Sequence, residues 1–453
     1  MARLKKRKAP DTRRPMRDNT AWRRYQDKLK HKSAARKTLR RLPGYVLIFC
    51  IALVLIKGGF FLLEALILRP ETRSAAGTTE TERIDRSGLR RRIDPATFVN
   101  ARESIIQSRS GARAYTFHTS LNPDLQESLI SMMDRRWSRQ IAIVVMDPQT
   151  GRILGMASFD KTDSGKDPCL SAAFPAASLF KIITAAAAVE TCGYGPETRL
   201  NFNGGKYTLY RSQLKETVNK YTNSLTLKRA FAQSVNPIFG KIGKNCLGGA
   251  NLEKYATRFG FNREITFDLP LDTSVVKISD QPYNWAEIAC GFNGTTRISP
   301  LHGAMLAAAV INNGRLMVPR IVDRASVNDR GIYRGKTEIL DRCATPETAR
   351  RLRSLMEASV TKGTARGSFR GKTGQKLLKN FHIGGKTGSI NDNPEQLRYD
   401  WFAGYAQHRQ SGEKIAVSVL VAHEKYIGTR APAYFRKIVS DYFQNRINTS
   451  GNS

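Results

Sequence analysis

One apolar run dominates the hydropathy pattern of the chain. It runs from Tyr45 to Ile56 and continues through Phe60 and Leu63 to Leu68, about the ~20 residues a helix needs to cross a bilayer. Lys57 and Glu64 interrupt it seven residues apart, on nearly one helix face. Snorkelling toward the interface accounts for both more simply than a polar stripe facing a membrane partner. A second run, Ile182-Ile-Thr-Ala-Ala-Ala-Ala-Val189, predicts a deeply buried helix. Between Gln140 and Ser158 two β-rich runs flank Pro148-Gln-Thr-Gly151, a hairpin signal. Helical patterns dominate 178–260 and 345–362, strands return at 399–407 and 414–422, and an amphipathic helix follows at 432–445. Residues 70–113 are rich in Thr, Ser, Arg and Gly, with a short helix predicted from the Asp94-Pro95 cap to near Ser108. Strands toward both ends with helices between predict an α+β fold, one antiparallel sheet beside a helical lobe, behind a single transmembrane helix. The expected divisions are a basic tail over 1–42, an anchor over 43–68, a linker or small packing module over 69–113, one large domain over 114–445 and a flexible tail over 446–453. No internal repeat is visible.

The 453 residues carry 74 Lys+Arg against 38 Asp+Glu, a formal charge of +36. Such a balance suits nucleic acid, anionic lipid or an anionic polymer, and the position of the charge decides among them. Residues 1–42 hold 17 Lys/Arg and three Asp with no aliphatic run able to form a core. Positive charge before the span keeps the N-terminus cytoplasmic, which places the large domain outside. Ser74-Ala-Ala-Gly77 would suit a signal protease. A charged region of some forty residues and an apolar stretch beyond the usual ~7–15 favour a retained anchor instead. Trp22 and Tyr25 lie among the basic residues, but topology and anionic lipid explain the tail without nucleic acid. The six histidines and six cysteines show no ligand-like spacing, so neither a metal nor another cofactor is expected. An oxidising exterior would permit disulfides among the five cysteines beyond the span.

Three short motifs follow the anchor in order: Ser178-Leu-Phe-Lys181, Ser234-Val-Asn236 and Lys386-Thr-Gly388. Each has decoys. Ser212-Gln-Leu-Lys215 repeats the first; Ser120-Leu-Asn122, Ser326-Val-Asn328 and Ser389-Ile-Asn391 repeat the second; a further Lys-Thr-Gly stands at 372–374. Ser178 opens the buried apolar helix, at the positive end of its dipole, with Lys181 on its face. Ser212 has no such helix. Ser326 lies among charged residues and reads as a surface turn. Pro237, after Asn236, suits the first turn of a helix. Lys386 follows Gly384-Gly385 and precedes the strand-like Trp401-Phe-Ala-Gly-Tyr405, whereas the 372–374 copy reads as loop. The chosen set supplies a serine nucleophile with a lysine base, a second hydroxyl with an amide, and a lysine-glycine pair for an anionic substrate. That is the equipment of acyl transfer through an active-site serine. If the helices opened by Ser178 and Asn236 leave the site in similar directions, Cys192 and Cys246, 14 and 10 residues further on, come within disulfide reach.

With these motifs the chain resembles the penicillin-binding proteins over roughly 114–445. The likeness extends to Leu121-Asn-Pro-Asp-Leu-Gln126, to Ile143–Ala157, to Ile298-Ser-Pro-Leu-His302 and to Ala307–Gly314. The chain departs from the family pattern in having Ala176-Ala177 where Pro-Gly is common, and Ser389 where Thr follows Lys-Thr-Gly. The resemblance implies a peptidoglycan D,D-transpeptidase whose substrates are stem peptides ending in D-Ala-D-Ala and whose covalent inhibitors are β-lactams. It implies Ser178 as nucleophile, Lys181 as base, Ser234 as proton relay and Asn236 as a holder of Lys181 and of the substrate amide. Lys386 and Thr387 would bind the terminal carboxylate, Gly388 would let substrate approach, and the N–H groups of Ser178 and Ser389 would form the oxyanion hole. A D,D-carboxypeptidase and a non-catalytic β-lactam sensor remain alternatives. Residues 1–42 are too short for the protease or kinase module of a sensor, and no Glu-x-x-Leu-Asn run supports a β-lactamase. Relatives without a polymerising domain often work with a polytopic glycan polymerase, so the resemblance implies such a partner. It also implies the bacterial cytoplasmic membrane as the location.

Overall fold

The structure, a computed structural model, describes residues 83–110, 113–162, 165–392 and 396–450. The expected basic tail, the anchor, the linker as far as 82 and the last three residues lie outside the described residues. Among the described residues no helix is long and apolar enough to cross a membrane.

Five strands build the central antiparallel sheet: β1 (Ser138–Met146), β2 (Ile153–Asp160), β3 (Phe381–Asp392), β4 (Leu397–His408) and β5 (Lys414–His423). Their spatial order is β3-β4-β5-β1-β2, which leaves β3 at an edge. β1 is an unbroken apolar run from Ile141 to Met146 because both of its faces are covered. Ala142, Val144 and Met146 join the core under the helical lobe, while Ile141, Ile143 and Val145 join the core under the C-terminal helix. A strand sends alternate side chains to opposite faces, so continuous hydrophobicity is what two covered faces require. The expected hairpin joins β1 to β2. The Asp147 carboxylate accepts from Gln149 N at 2.8 Å and Thr150 Oγ1 at 2.6 Å, and Gly151 takes φ +77°.

The helical lobe contains α1 (Lys181–Thr191), α2 (Asn236–Lys241) and α3 (Pro300–Ile311), the last buried along its whole length. α4 (Pro346–Thr361) matches the helix expected at 345–362, and α5 (Ala431–Ser450) covers the opposite face of the sheet through Tyr434, Phe435, Ile438 and Val439. This is the expected α+β arrangement. The helical pattern of 178–260 is interrupted, however, by a hairpin of Arg199–Phe202 with Asn223–Thr226. A disulfide joins Cys192 to Cys246 with Cα atoms 6.4 Å apart, and Cys169, Cys290 and Cys343 are buried free thiols.

The helix expected from Asp94 to Ser108 is corrected. Asp94 does cap Ala96 N at 3.0 Å, but only a single turn, Pro95–Thr97, follows. Ile105–Ser110 is instead a strand pairing with Arg113–Thr119, and Ile105 and Ile106 lie opposite His118 and Phe117. β-branched residues favour that half-buried ladder, and the pairing crosses the expected division at 113. Val322–Val327 and Arg330–Arg334 complete a four-stranded sheet. The N-terminal segment is also tied to the lobe by Arg86, 3.2 Å from the buried Asp268 carboxylate, which accepts from Ile321 N and Val322 N at 2.7 and 2.9 Å.

Candidate active site

Ser178 lies in a 3₁₀ turn, Ala177–Phe180, that leads into α1. In that first turn its N–H has no acceptor within the helix. Ala177 before it takes φ +46°, and Ser234 takes φ +56°. Left-handed backbone at non-glycine residues costs about 1–3 kcal/mol each and persists only where packing imposes it. The packing is visible at Gly291 (φ +68°), where a Cβ would stand 1.8 Å from the Ala177 carbonyl oxygen and 2.9 Å from Ser178 N. The backbone after the helix Pro282–Cys290 therefore presses directly on the serine turn.

Five of the expected side chains form one connected line. Lys181 Nζ is 2.8 Å from Ser178 Oγ, Ser178 Oγ is 3.0 Å from Ser234 Oγ, and Ser234 Oγ is 3.0 Å from Lys386 Nζ. Lys181 Nζ also donates to Asn236 Oδ1 at 2.8 Å and to the carbonyl of Cys290. The Asn236 amide is held in that sense because its Nδ2 donates to the Tyr207 carbonyl at 3.0 Å. Lys386 donates as well to the Thr387 carbonyl at 2.8 Å. Both lysines are fully buried, and among the described residues no carboxylate is one of their hydrogen-bond partners. Burial lowers Lys181 to about 8. Burial, joined by the charge of Lys181, holds Lys386 well below the ordinary lysine range.

Strand β3 carries the third motif, and the expected strand at 399–407 is its antiparallel neighbour, with Lys386 opposite Ala403 and Gly388 opposite Trp401. Gly388 sits against the serine turn, since a Cβ there would lie 3.4 Å from that of Ala177. The Thr387 hydroxyl contacts that of Thr364 at 2.6 Å. The exposed Ser389 turns its hydroxyl out of the line, donating to Asp400 Oδ1 at 3.3 Å. Burial alone would raise the Asp400 carboxyl, yet the Arg430 guanidinium and the Ala431 N–H, which donate to it at 2.9 and 3.0 Å, outweigh it and bring it to about 2.

The decoys fall elsewhere. Ser212 lies in a short turn, Arg211–Leu214. Ser326 is on a strand whose hairpin turn holds Asn328 and Asp329 at positive φ. The second Lys-Thr-Gly, expected as loop, is the start of a helix, Lys372–Asn380, whose Leu377 is buried. Motif reading missed Thr364, Gly291 and the carbonyls of Tyr207 and Cys290. Only Gly291 left a signal, as a glycine following a helical run. Cys290 contributes its carbonyl, while its thiol is pushed up to about 11 by burial.

The sequence profile of the Penicillin binding protein transpeptidase domain family matches residues 141–440, and the chain belongs to that family. It is 24% identical to the penicillin-binding protein PbpB of Mycolicibacterium smegmatis, over 73% of this chain and 53% of that protein. It is 24% identical to the peptidoglycan D,D-transpeptidase PbpA of the same organism, over 67% of this chain and 66% of that protein. It is 25% identical to the stage V sporulation protein D of Bacillus subtilis, over 54% and 39%. The chain thus spans between 39% and 66% of the length of these relatives. Among solved structures, its fold is similar to the D,D-transpeptidase domain of a peptidoglycan glycosyltransferase from Eggerthella lenta (TM-score 0.61, 24% identity, 73% of this chain and 83% of that one). It is also similar to PBPA from Mycobacterium tuberculosis (TM-score 0.57, 21% identity, 72% and 80%), which has further been solved as an imipenem acyl-enzyme complex.

Proposed function

We propose that this protein is a membrane-anchored serine D,D-transpeptidase that cross-links peptidoglycan stem peptides ending in D-Ala-D-Ala and is acylated by penicillin. The observation that carries the reading is the environment of Lys181. A neutral amine has two N–H bonds and one lone pair. The carbonyl oxygens of Asn236 and Cys290 take both N–H bonds, so the lone pair faces the Ser178 hydroxyl 2.8 Å away. That is the geometry of a general base.

In the reaction the Ser178 oxygen attacks the carbonyl of the penultimate D-Ala while its proton passes to Lys181. The N–H groups of Ser178 and Ser389 receive the oxyanion, and one such donor is worth ~10²–10³ in rate. As the terminal D-Ala departs, Ser234 gives its proton to the leaving nitrogen and takes back the one held by Lys181, which is neutral again. The amine of a neighbouring stem then attacks the acyl-enzyme and loses a proton to Lys181, which passes it to the departing Ser178 oxygen and so restores the hydroxyl. Lys386 and Thr387 take the substrate carboxylate. Its arrival favours the charged form of Lys386, and that charge in turn disfavours protonation of Lys181. Substrate binding therefore favours the neutral base. The basic tail and the apolar run at 43–68 support a single-pass placement in the bacterial cytoplasmic membrane with the catalytic domain outside; the family resemblance alone suggests a polytopic glycan polymerase as partner.

The test uses the full-length protein in detergent with a D-Ala-D-Ala pentapeptide, a D-amino-acid acceptor and fluorescent penicillin. Covalent labelling together with exchange of the terminal residue is expected. Release of D-Ala without exchange would replace the reading with a carboxypeptidase, and labelling with neither product would make the protein a sensor.

A further inference from the structure

A cavity of about 310 Å³ lies at one end of the seam between sheet and lobe. Its wall includes Arg139, Gln140, Lys166, Phe174, Arg297 and Tyr399, and among the described residues no acidic side chain lines it. Two chain connections place it relative to the reacting serine. Arg297 is opposite Pro175, three residues before Ser178. Tyr399 is opposite Ile390, the residue after Ser389. At about 3.3 Å per residue, that separation is the length of a short peptide. Strand β3 is an edge strand, so an extended substrate can continue along it from Gly388 toward Ile390 as an added strand.

The cavity is organised around its cations. Arg297 is fixed by donating through Nη1 to the Ala173 carbonyl at 2.7 Å. Phe174 packs edge-on against Tyr399, with ring centroids 5.8 Å apart, and forms an apolar wall. Arg139 and Lys166 have carboxylates at 3.7 Å (Glu424) and 3.4 Å (Asp272). Solvent-accessible pairs of that kind contribute only about 0–1 kcal/mol, so a ligand anion can compete for both cations.

We propose that this cavity is a subsite for carboxylate groups carried by the stem peptide upstream of its D-Ala-D-Ala terminus. The inference rests on the transpeptidase reading and extends it from the scissile bond to the preceding residues. A β-lactam carries no upstream glutamate, so its acylation of Ser178 serves as the control on the catalytic line.

The experiment uses the full-length protein and two synthetic pentapeptides ending in D-Ala-D-Ala, one with glutamate upstream and one with glutamine in its place. Arg297→Gln and Arg139→Gln should each raise KM for the glutamate peptide roughly threefold to fivefold, the upper part of the range for losing one ion pair near solvent. They should leave KM for the glutamine peptide and the rate of penicillin labelling within about twofold of wild type. Equal effects on the two peptides, or none on either, would overturn the subsite. If Arg297→Gln also loses penicillin labelling, its grip on the Ser178 approach has been damaged. The decision then passes to Arg139→Gln and the exposed Lys166→Gln, judged by the same difference between peptides. A wild-type protein that takes penicillin but prefers the glutamine peptide would refute the subsite and leave the catalytic reading intact. One that neither labels nor turns over either peptide would remove both.

Discussion

Two buried lysines within one line of side chains set the pH behaviour of the site. Each hydroxyl between them can donate only one proton, and among the described residues neither lysine has a carboxylate partner. Lys181 is brought to about 8 by burial, and only its neutral form can accept a proton from Ser178. Below pH 8 the protonated form predominates, so the second-order rate of penicillin acylation should fall about tenfold per pH unit and level off above about 8. A rate independent of pH between 6 and 9 would remove Lys181 as the base. Lys181→Ala should slow acylation by ~10²–10⁴, and Ser178→Ala should abolish labelling. The two Lys-Thr-Gly copies provide an internal control. Lys386 contacts Ser234 at 3.0 Å, whereas Lys372 begins a separate helix. Lys386→Ala should cut the labelling rate by at least tenfold and Lys372→Ala by less than twofold, compared at equal protein concentration. Similar losses from both would contradict the assignment of the third motif.

At the scale of elements, the serine turn is shaped by a neighbour that the motifs do not mention. Gly291→Ala would place a Cβ 1.8 Å from the Ala177 oxygen at a left-handed φ of +68°. Backbone, unlike a flexible side chain, cannot swing aside. The substitution should cost about 2–4 kcal/mol by denaturant titration and slow acylation more than tenfold. Gly294→Ala, with open space around its Cβ position, should change neither, and an equally harmless Gly291→Ala would mean the turn does not depend on that contact. The same contrast explains what could be read from the sequence. The β1–β2 hairpin and the strands at 399–407 and 414–422 carry local signals: continuous or alternating apolar residues closed by turn formers. β3 carries almost none, because Gly384, Gly385 and Gly388 depress its strand propensity, and its motif marks the site without marking a strand. Asp94 was a true cap followed by too few helical residues, and tertiary pairing of Ile105 and Ile106 decided the rest. In the site, side chains could be nominated by type and spacing. The Tyr207 and Cys290 carbonyls could not, since a backbone carbonyl looks alike at every position.

On the scale of the whole molecule, the line of side chains at the candidate active site depends on two segments far apart in sequence keeping one relative position. Ser178 and Lys181 belong to the start of α1, and Ser234 and Asn236 to the start of α2. The Cys192–Cys246 disulfide joins the far end of α1 to the π turn Ile242–Leu247 that extends α2, so the two segments are fixed near both ends. Closing a loop of 54 residues is worth ~4 kcal/mol in the chain-entropy model. The bridge also has a topological consequence, because such bonds persist in oxidising compartments and are rare in cytosol; it is consistent with the proposed exterior placement of the domain. Cys192→Ser and Cys246→Ser should each lower unfolding stability by about 2–4 kcal/mol, and the double substitution should cost no more than either single one. Reductant should lower the denaturation midpoint of wild type and leave the variants unchanged. Thiol alkylation of the folded, unreduced protein should spare both cysteines. Modification of both without reductant, or additive losses in the double variant, would show that the two segments are held together by packing alone.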